Sequence, residues 1–242
     1  MINRLKLALQ HYFKPNFPES SAPRAWRPVW LPSKLRLVSE AQVHPHVPEE
    51  RAELFLAYNT GSTEIETLNW LYSMVCLIKP THILETGAAN GLGTLALASA
   101  CRDNGFGCVH SVEIDPETAE SLQETVLKNG LEKHVCVHCA SSMDFLSSTD
   151  IIFDFGFFDS ICEIRAQEYE LCLKRSLLKG PAAFHDTSPL RTRSMRDYPS
   201  EELHIRYIKR LRELASDAGG CFEHRLGRGF VVIFPKMDLP QP

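Results

Sequence analysis

With 242 residues, 44% apolar content and 23% charged residues, the chain can bury one sizeable core, and its composition is neither fibrous nor disordered. A formal charge of −4 and a pI near 6.2 argue against a protein that holds nucleic acid by bulk attraction to phosphate. No run of about 18 apolar residues is present, so no membrane span is expected, and Lys6, Gln10 and His11 interrupt any secretory core. A cytoplasmic protein is the simplest reading.

Residues 1–60 read as a separate N-terminal unit. A short helix from about Asn3 to Tyr12 is followed by an extended, proline-rich arm with little regular structure. Its aromatics, Phe13, Phe17, Trp26 and Trp30, need a surface to pack on, either the arm's own domain or a second copy in a homodimer. From Gly61 the apolar spacing Ile65, Leu68, Leu71, Val75, Ile78 predicts an amphipathic helix, capped by Ser62 or Thr63 and stopped by Pro80.

Strand and helix patterns then alternate. "HILET" is a strand, "GLGTLALASACRDNG" a helix, "CVHSVEI" a strand, and "PETAESLQETVLKNG" a helix opened by Pro116 and closed at Gly130. "VCVHCA" and "FDFGFFDS" are strands, "EIRAQEYELCLKRSLLKG" a helix, and "AAFHDT" a strand. The helix "SEELHIRYIKRLRELASDAGG" leads to "CFEHRL" and "FVVIF", joined by "GRG". Such alternation predicts an α/β, doubly wound, Rossmann-like and mostly parallel sheet over residues 61–242, ending in an antiparallel hairpin. Eight cysteines could make disulfides, but Cys76, Cys101, Cys136, Cys139, Cys162 and Cys172 lie in or beside apolar runs and read as buried thiols. "HVCVHC" has zinc-like spacing, yet it lacks a second pair and alternates as a strand does.

In open parallel sheets, ligands sit at the carboxyl ends of the strands. The first strand runs into "ETGAANGLG", whose glycines Gly87, Gly91 and Gly93 do not keep the dinucleotide spacing. Glu85, just before them, would lie unfavourably close to a pyrophosphate. S-adenosylmethionine carries an ammonium, a sulfonium and a ribose diol but no phosphate, and Glu85 suits it better. At the end of the second strand, Glu113 is placed to accept both ribose hydroxyls; Asp115 is the second choice.

Together these segments resemble the class I S-adenosylmethionine-dependent methyltransferases. "ILETGAANGLGT" is similar to their glycine loop, "VHSVEIDPE" to their acidic second motif, "CASSMDFL" to their adenine segment, and "FDFGFFDS" to the strand ending at the reaction centre. The resemblance implies a seven-stranded sheet and a cofactor site of Glu85, Gly87, Ala88, Ala89, Asn90, Gly91, Glu113, Ile114, Ser141, Ser142 and Asp159. Ala89 departs from the usual middle glycine and implies a slightly altered loop.

Methyl transfer is an in-line displacement that requires an aligned nucleophile able to lose a proton. Asp159 and Asp186 end what should be neighbouring strands. The resemblance to small-molecule O-methyltransferases implies magnesium held by Asp159 and Asp186, with Thr187 at the third, weaker position. The alternative is a plain general base, His185 or Asp186, of which one should face away because adjacent strand residues point to opposite faces. "SPLRTRSMRDYPSEE" reads as a lid, and Arg191, Arg193 and Arg196 would suit an anionic substrate. The expected function is methyl transfer to a hydroxyl of a small molecule such as a sugar, polyketide or phenolic, with no nucleic-acid or membrane partner. The rivals are an N-methyltransferase, a nucleotide-binding oxidoreductase, and a cofactor-binding protein without catalysis.

Overall fold

The computed structural model describes residues 63–189 and 201–236, together with the short strands β1 (Gln42–Val43) and β2 (Leu56–Ala57). The helix expected at Asn3–Tyr12, the packing of the arm's aromatics, a homodimer contact through the arm and the Arg191, Arg193, Arg196 segment all fall outside the described residues. One correction falls on the arm itself. β1 and β2 pair as a small antiparallel sheet, so that stretch has more regular structure than its prolines suggested.

Helix α1 spans Ile65–Ile78 and ends where Lys79 takes a left-handed φ of 55° and donates its N–H to the Val75 carbonyl. Its N-cap is Glu64, not Ser62 or Thr63, and the Glu64 side chain makes no cap bond because it is used elsewhere. Then follow β3 (His82–Thr86), α2 (Leu92–Asn104), β4 (Cys108–Glu113), α3 (Pro116–Lys128) and β5 (Val135–Cys139). The chain continues through α4 (Ser142–Ser148), β6 (Phe155–Phe158), α5 (Cys162–Lys174), β7 (Ala182–His185), α6 (Glu201–Ser216), β8 (Gly220–His224) and β9 (Phe230–Phe234). Asp115 caps α3, accepting the Thr118 N–H at 2.8 Å, just ahead of Pro116. Among the described residues, no helix is long and apolar enough to cross a membrane.

Seven strands form one sheet in the order β5-β4-β3-β6-β7-β9-β8, parallel except that β9 runs antiparallel to both β7 and β8. Both faces are covered, so the central strands bury side chains on both sides. Ile83, Val109, Phe155, Phe157 and Ala183 pack towards α1, α2 and α3, while Leu84, Val112, Phe158, Ala182 and Phe184 pack towards α5 and α6. All eight cysteines are free thiols, but Cys136 and Cys139 are exposed and Cys76 is half-buried, contrary to expectation. β5 is an edge strand of the sheet, so part of its surface is left open to solvent. The strand order reverses between β3 and β6, and the sheet's carboxyl ends open a crevice there.

Candidate active site

The loop after β3 is folded by backbone constraints before any ligand is considered. Gly87 has φ 77°, and a Cβ there would lie 2.5 Å from Ser160 Cα and 2.6 Å from the Asp159 carbonyl, so only glycine lets the β3 and β6 ends approach this closely. Ala89 takes φ 45°, a strained value for a residue with a side chain, and donates its N–H to Glu113 Oε2 at 3.0 Å. The Asp115 N–H reaches Glu113 Oε1 at 3.0 Å. Glu113 therefore shapes the loop as well as facing the crevice, whereas exposed Asp115 serves the α3 cap.

Two hollows meet at this loop. One, of about 280 Å³, is lined by Ala89, Glu113, Ile114, Ser141, Ser142 and Ile161, among others. The other is lined by Thr63, Glu85, Ala88, Asn90, Arg165 and Arg228. Gly87, Ala89 and Asp159 line both, which puts Asp159 at the corner where they join. Nearly all the residues expected around a nucleoside-type cofactor thus border one continuous crevice; Gly91 lies at the N-cap of α2, in the loop between them. The Ser142 hydroxyl donates to buried Glu168 Oε1, and Glu168 Oε2 accepts from Thr86 and Ser160 at 2.9 Å each.

Glu85 is 1% exposed and accepts from the Thr94 hydroxyl and from the Ser111 hydroxyl at 2.6 Å. Burial pushes its carboxyl up to about 7 against those hydrogen bonds, and the neighbouring Asp159 and Glu113 charges add to the rise.

At the ends of β6 and β7, an ion cluster closes. Asp159 Oδ1 is 2.9 Å from Arg165 Nη2 and 3.2 Å from His185 Nδ1, and Asp159 Oδ2 accepts from Thr63 Oγ1 at 3.1 Å. Arg228 clamps Asp186 with Nε to Oδ1 at 2.7 Å and Nη2 to Oδ2 at 3.0 Å; Arg165 reaches the same Oδ2 at 3.3 Å. Glu64 Oε2 lies 2.6 Å from His185 Nε2, and its Oε1 accepts the Arg228 N–H at 2.7 Å. Burial alone would raise the Glu64 and Asp159 carboxyls, but His185, with Arg228 at Glu64 and Arg165 at Asp159, outweighs it and holds both below the ordinary range.

Two expectations need correction here. His185 and Asp186 do not diverge: β7 ends at His185, and Asp186 takes a left-handed φ of 60°, which breaks the strand alternation and turns both side chains into the cluster. Thr187 does not join them. It lines a small hollow with Ile208, Leu211 and Val231, between α6 and the hairpin, and its buried hydroxyl has no hydrogen-bond partner among the described residues. His185 is 0% and Asp186 3% exposed, while the Asp159 side chain is 15% exposed, so Asp159 is the member of this trio that meets the crevice.

None of Thr63, Glu64, Arg165, Glu168 and Arg228 was read from the sequence as a site residue, and Thr63 figured there only as a candidate helix cap. A signal existed for Arg165. On α5 the buried stripe Cys162, Arg165, Ala166, Tyr169, Cys172 contains it, and a charged residue on an inward helical stripe needs a partner. Arg228 is delivered by the turn before β9, where a Cβ on Gly229 (φ 87°) would lie 2.0 Å from Ser188 N.

Residues 84–187 match the family model of a methyltransferase domain. Over that stretch, a little under half of the chain, the sequence is similar to a methyltransferase domain. The fold of the chain recurs in solved structures. A Klebsiella pneumoniae protein provisionally described as an O-methyltransferase superposes with a TM-score of 0.63 at 15% identity, covering 97% of each chain. The O-methyltransferase TomG of Streptomyces achromogenes, involved in tomaymycin synthesis and solved with S-adenosylmethionine, gives 0.61 at 18% identity over 86% of this chain and 95% of its own. A Bacillus cereus O-methyltransferase in complex with S-adenosylhomocysteine gives 0.59 at 20% identity over 73% and 84%. At these identities the likeness is one of fold. No curated protein matches the chain in sequence.

Proposed function

We propose that this protein is a methyltransferase that uses S-adenosylmethionine and transfers its methyl group to a hydroxyl of a small molecule. The observation that carries the donor is the pair of buried carboxylates, Glu85 and Glu113, lining the two hollows that meet at Asp159. Glu113 suits the ribose diol, Glu85 the ammonium, and the apolar side chains of Ile114 and Ile161 suit the faces of an adenine. When bound, the donor supplies an electrophilic methyl group on a sulfonium. The O-methyltransferase neighbours solved with S-adenosylmethionine or S-adenosylhomocysteine support the same reading.

Asp159, at the corner, would accept a hydrogen bond from the acceptor hydroxyl and align its lone pair with the methyl carbon. Its carboxyl is held low, so it is a weak base, fitted to take a proton that becomes acidic as the C–O bond forms rather than to remove one beforehand. His185 and Asp186 are buried behind Asp159 and fix its position. A phenolic or similarly acidic hydroxyl fits such a centre better than a sugar alcohol.

Calorimetry with S-adenosylmethionine and with NAD tests the donor. Saturable binding of the first and none of the second is expected, and the reverse would overturn the reading. Transfer of a radiolabelled methyl group to a panel of phenols, sugars and amines then separates oxygen from nitrogen acceptors.

A further inference from the structure

The resemblance to small-molecule O-methyltransferases implies a divalent cation at Asp159 and Asp186. Distance alone would admit one. Among the described residues, Asp159, His185 and Asp186 are the group of acids, histidines and cysteines whose ligand atoms lie within 4.8 Å of one another. The donor set does not fit, for three reasons.

First, every oxygen of the two carboxylates already accepts a protein donor. Asp159 Oδ1 holds Arg165 and Oδ2 holds Thr63; Asp186 Oδ1 holds Arg228, and Oδ2 holds both Arg228 and Arg165. Magnesium and calcium need several oxygen ligands at about 2.0–2.6 Å, and these oxygens could offer that only by releasing guanidinium groups that are themselves buried. Second, the hydroxyl in the third ligand position, Thr187, faces the hollow between α6 and the hairpin. Third, positive charge already occupies the place: the Arg165 guanidinium faces both Asp159 and Asp186, and that of Arg228 faces Asp186. Two further positive charges within this buried set would meet those two fixed guanidinium groups.

We infer that Arg165 and Arg228 stand in the electrostatic place of the divalent cation, so this methyltransferase works without one and its strand-end carboxylates do not bind one. Both arginines line the hollow beside Glu85 and Asp159, so their positive field reaches the crevice where the acceptor oxygen develops charge. They are positioning residues: Arg165 fixes Asp159, and Arg228 fixes Asp186. The turnover part of this inference rests on the methyl-transfer reading above; the binding part does not.

The test uses the full chain, stripped with EDTA and titrated with Mn²⁺ followed by electron paramagnetic resonance, with Mg²⁺ and Ca²⁺ followed by calorimetry. No saturable binding below about 1 mM is expected, and turnover with S-adenosylmethionine should change less than about twofold on adding EDTA or magnesium. Stoichiometric Mn²⁺ binding that Asp159→Asn abolishes would overturn the inference, as would an EDTA loss rescued by magnesium. Arg228→Met and Arg165→Met, each checked for folding by circular dichroism, supply the positive arm. Releasing a guanidinium from the carboxylates should strengthen Mn²⁺ binding at least about tenfold, and a folded variant that binds no better than the parent counts against the inference. If no acceptor is methylated with or without metal, the functional reading fails, while the Mn²⁺ titration still decides the cation question.

Discussion

Glu85 gives the site a proton equilibrium near neutrality. Its carboxyl rises from 4.5 to about 7 on folding, so its contribution to stability is complete below pH 4.5 and is lost as pH rises through about 7. A cationic ligand favours the ionised form. The affinity for S-adenosylmethionine should therefore increase about eightfold between about pH 6 and about pH 7.5, and Glu85→Gln should flatten the profile. Calorimetry at the two pH values checks this, and an unchanged slope in the variant would assign the titration to another group. Glu113 acts through hydrogen bonds rather than charge balance. Replacing it by Gln should weaken cofactor binding by about 10- to 100-fold, because one carboxylate oxygen holds the Ala89 N–H and the other the Asp115 N–H. These two acids were legible in the sequence because each ends an apolar strand just before a helix, where the fold collects its ligands. Ala89 was legible only as an anomaly; its φ of 45° shows that the loop keeps the turn a glycine would have made and accepts the strain.

At the scale of elements, the central strands were readable because both faces are buried and short apolar runs mark them between the helices. α2 is buried along nearly its whole length, from Leu92 to Cys101, between the sheet and α1. Leu95→Ala should cost about 2–5 kcal/mol of stability while leaving the crevice residues in place, a loss measurable by urea denaturation. A loss under about 1 kcal/mol would mean that α1 and α2 repack freely around the gap. The short α4 was not separated from the adenine segment, since seven residues give little periodicity. The alternation rule placed His185 and Asp186 on opposite faces and failed because the strand stops between them. A left-handed residue at a strand end leaves no mark in composition when it is not glycine.

Across the whole molecule, Glu64 ties the start of α1 to the end of the chain. It sits 121 residues from His185 and 164 from Arg228, and holds both. Glu64→Ala should destabilise the protein by about 3–5 kcal/mol, since a buried ring and a backbone N–H lose their acceptor. The held-down carboxyls of Glu64 and Asp159 contribute stability that is present above their unfolded values of 4.5 and 3.8 and is lost as pH falls through the lower folded values. Equilibrium denaturation of parent and Glu64→Ala from about pH 7 down to about pH 3 checks both statements. The difference between the two proteins should shrink towards the acid end, and a constant difference would show that Glu64 acts through packing alone.

The sequence by itself determined the order and type of the elements of the main sheet and its longer helices, the glycine loop, and the strand-end acids Glu85, Glu113, Asp159 and Asp186. Local periodicity and backbone preference carry that information. Only the tertiary structure decided what surrounds those acids. Arg165 enters from an inward helical stripe, Arg228 from a turn that Gly229 presses against Ser188, and Glu64 from a helix cap left without its cap bond. These groups meet because the sheet order brings β3, β6, β7 and β9 side by side, and a buried carboxylate takes its character from whichever charges the fold places against it. The family resemblance therefore suggested a metal site, and the assembled charges describe an arginine-held one.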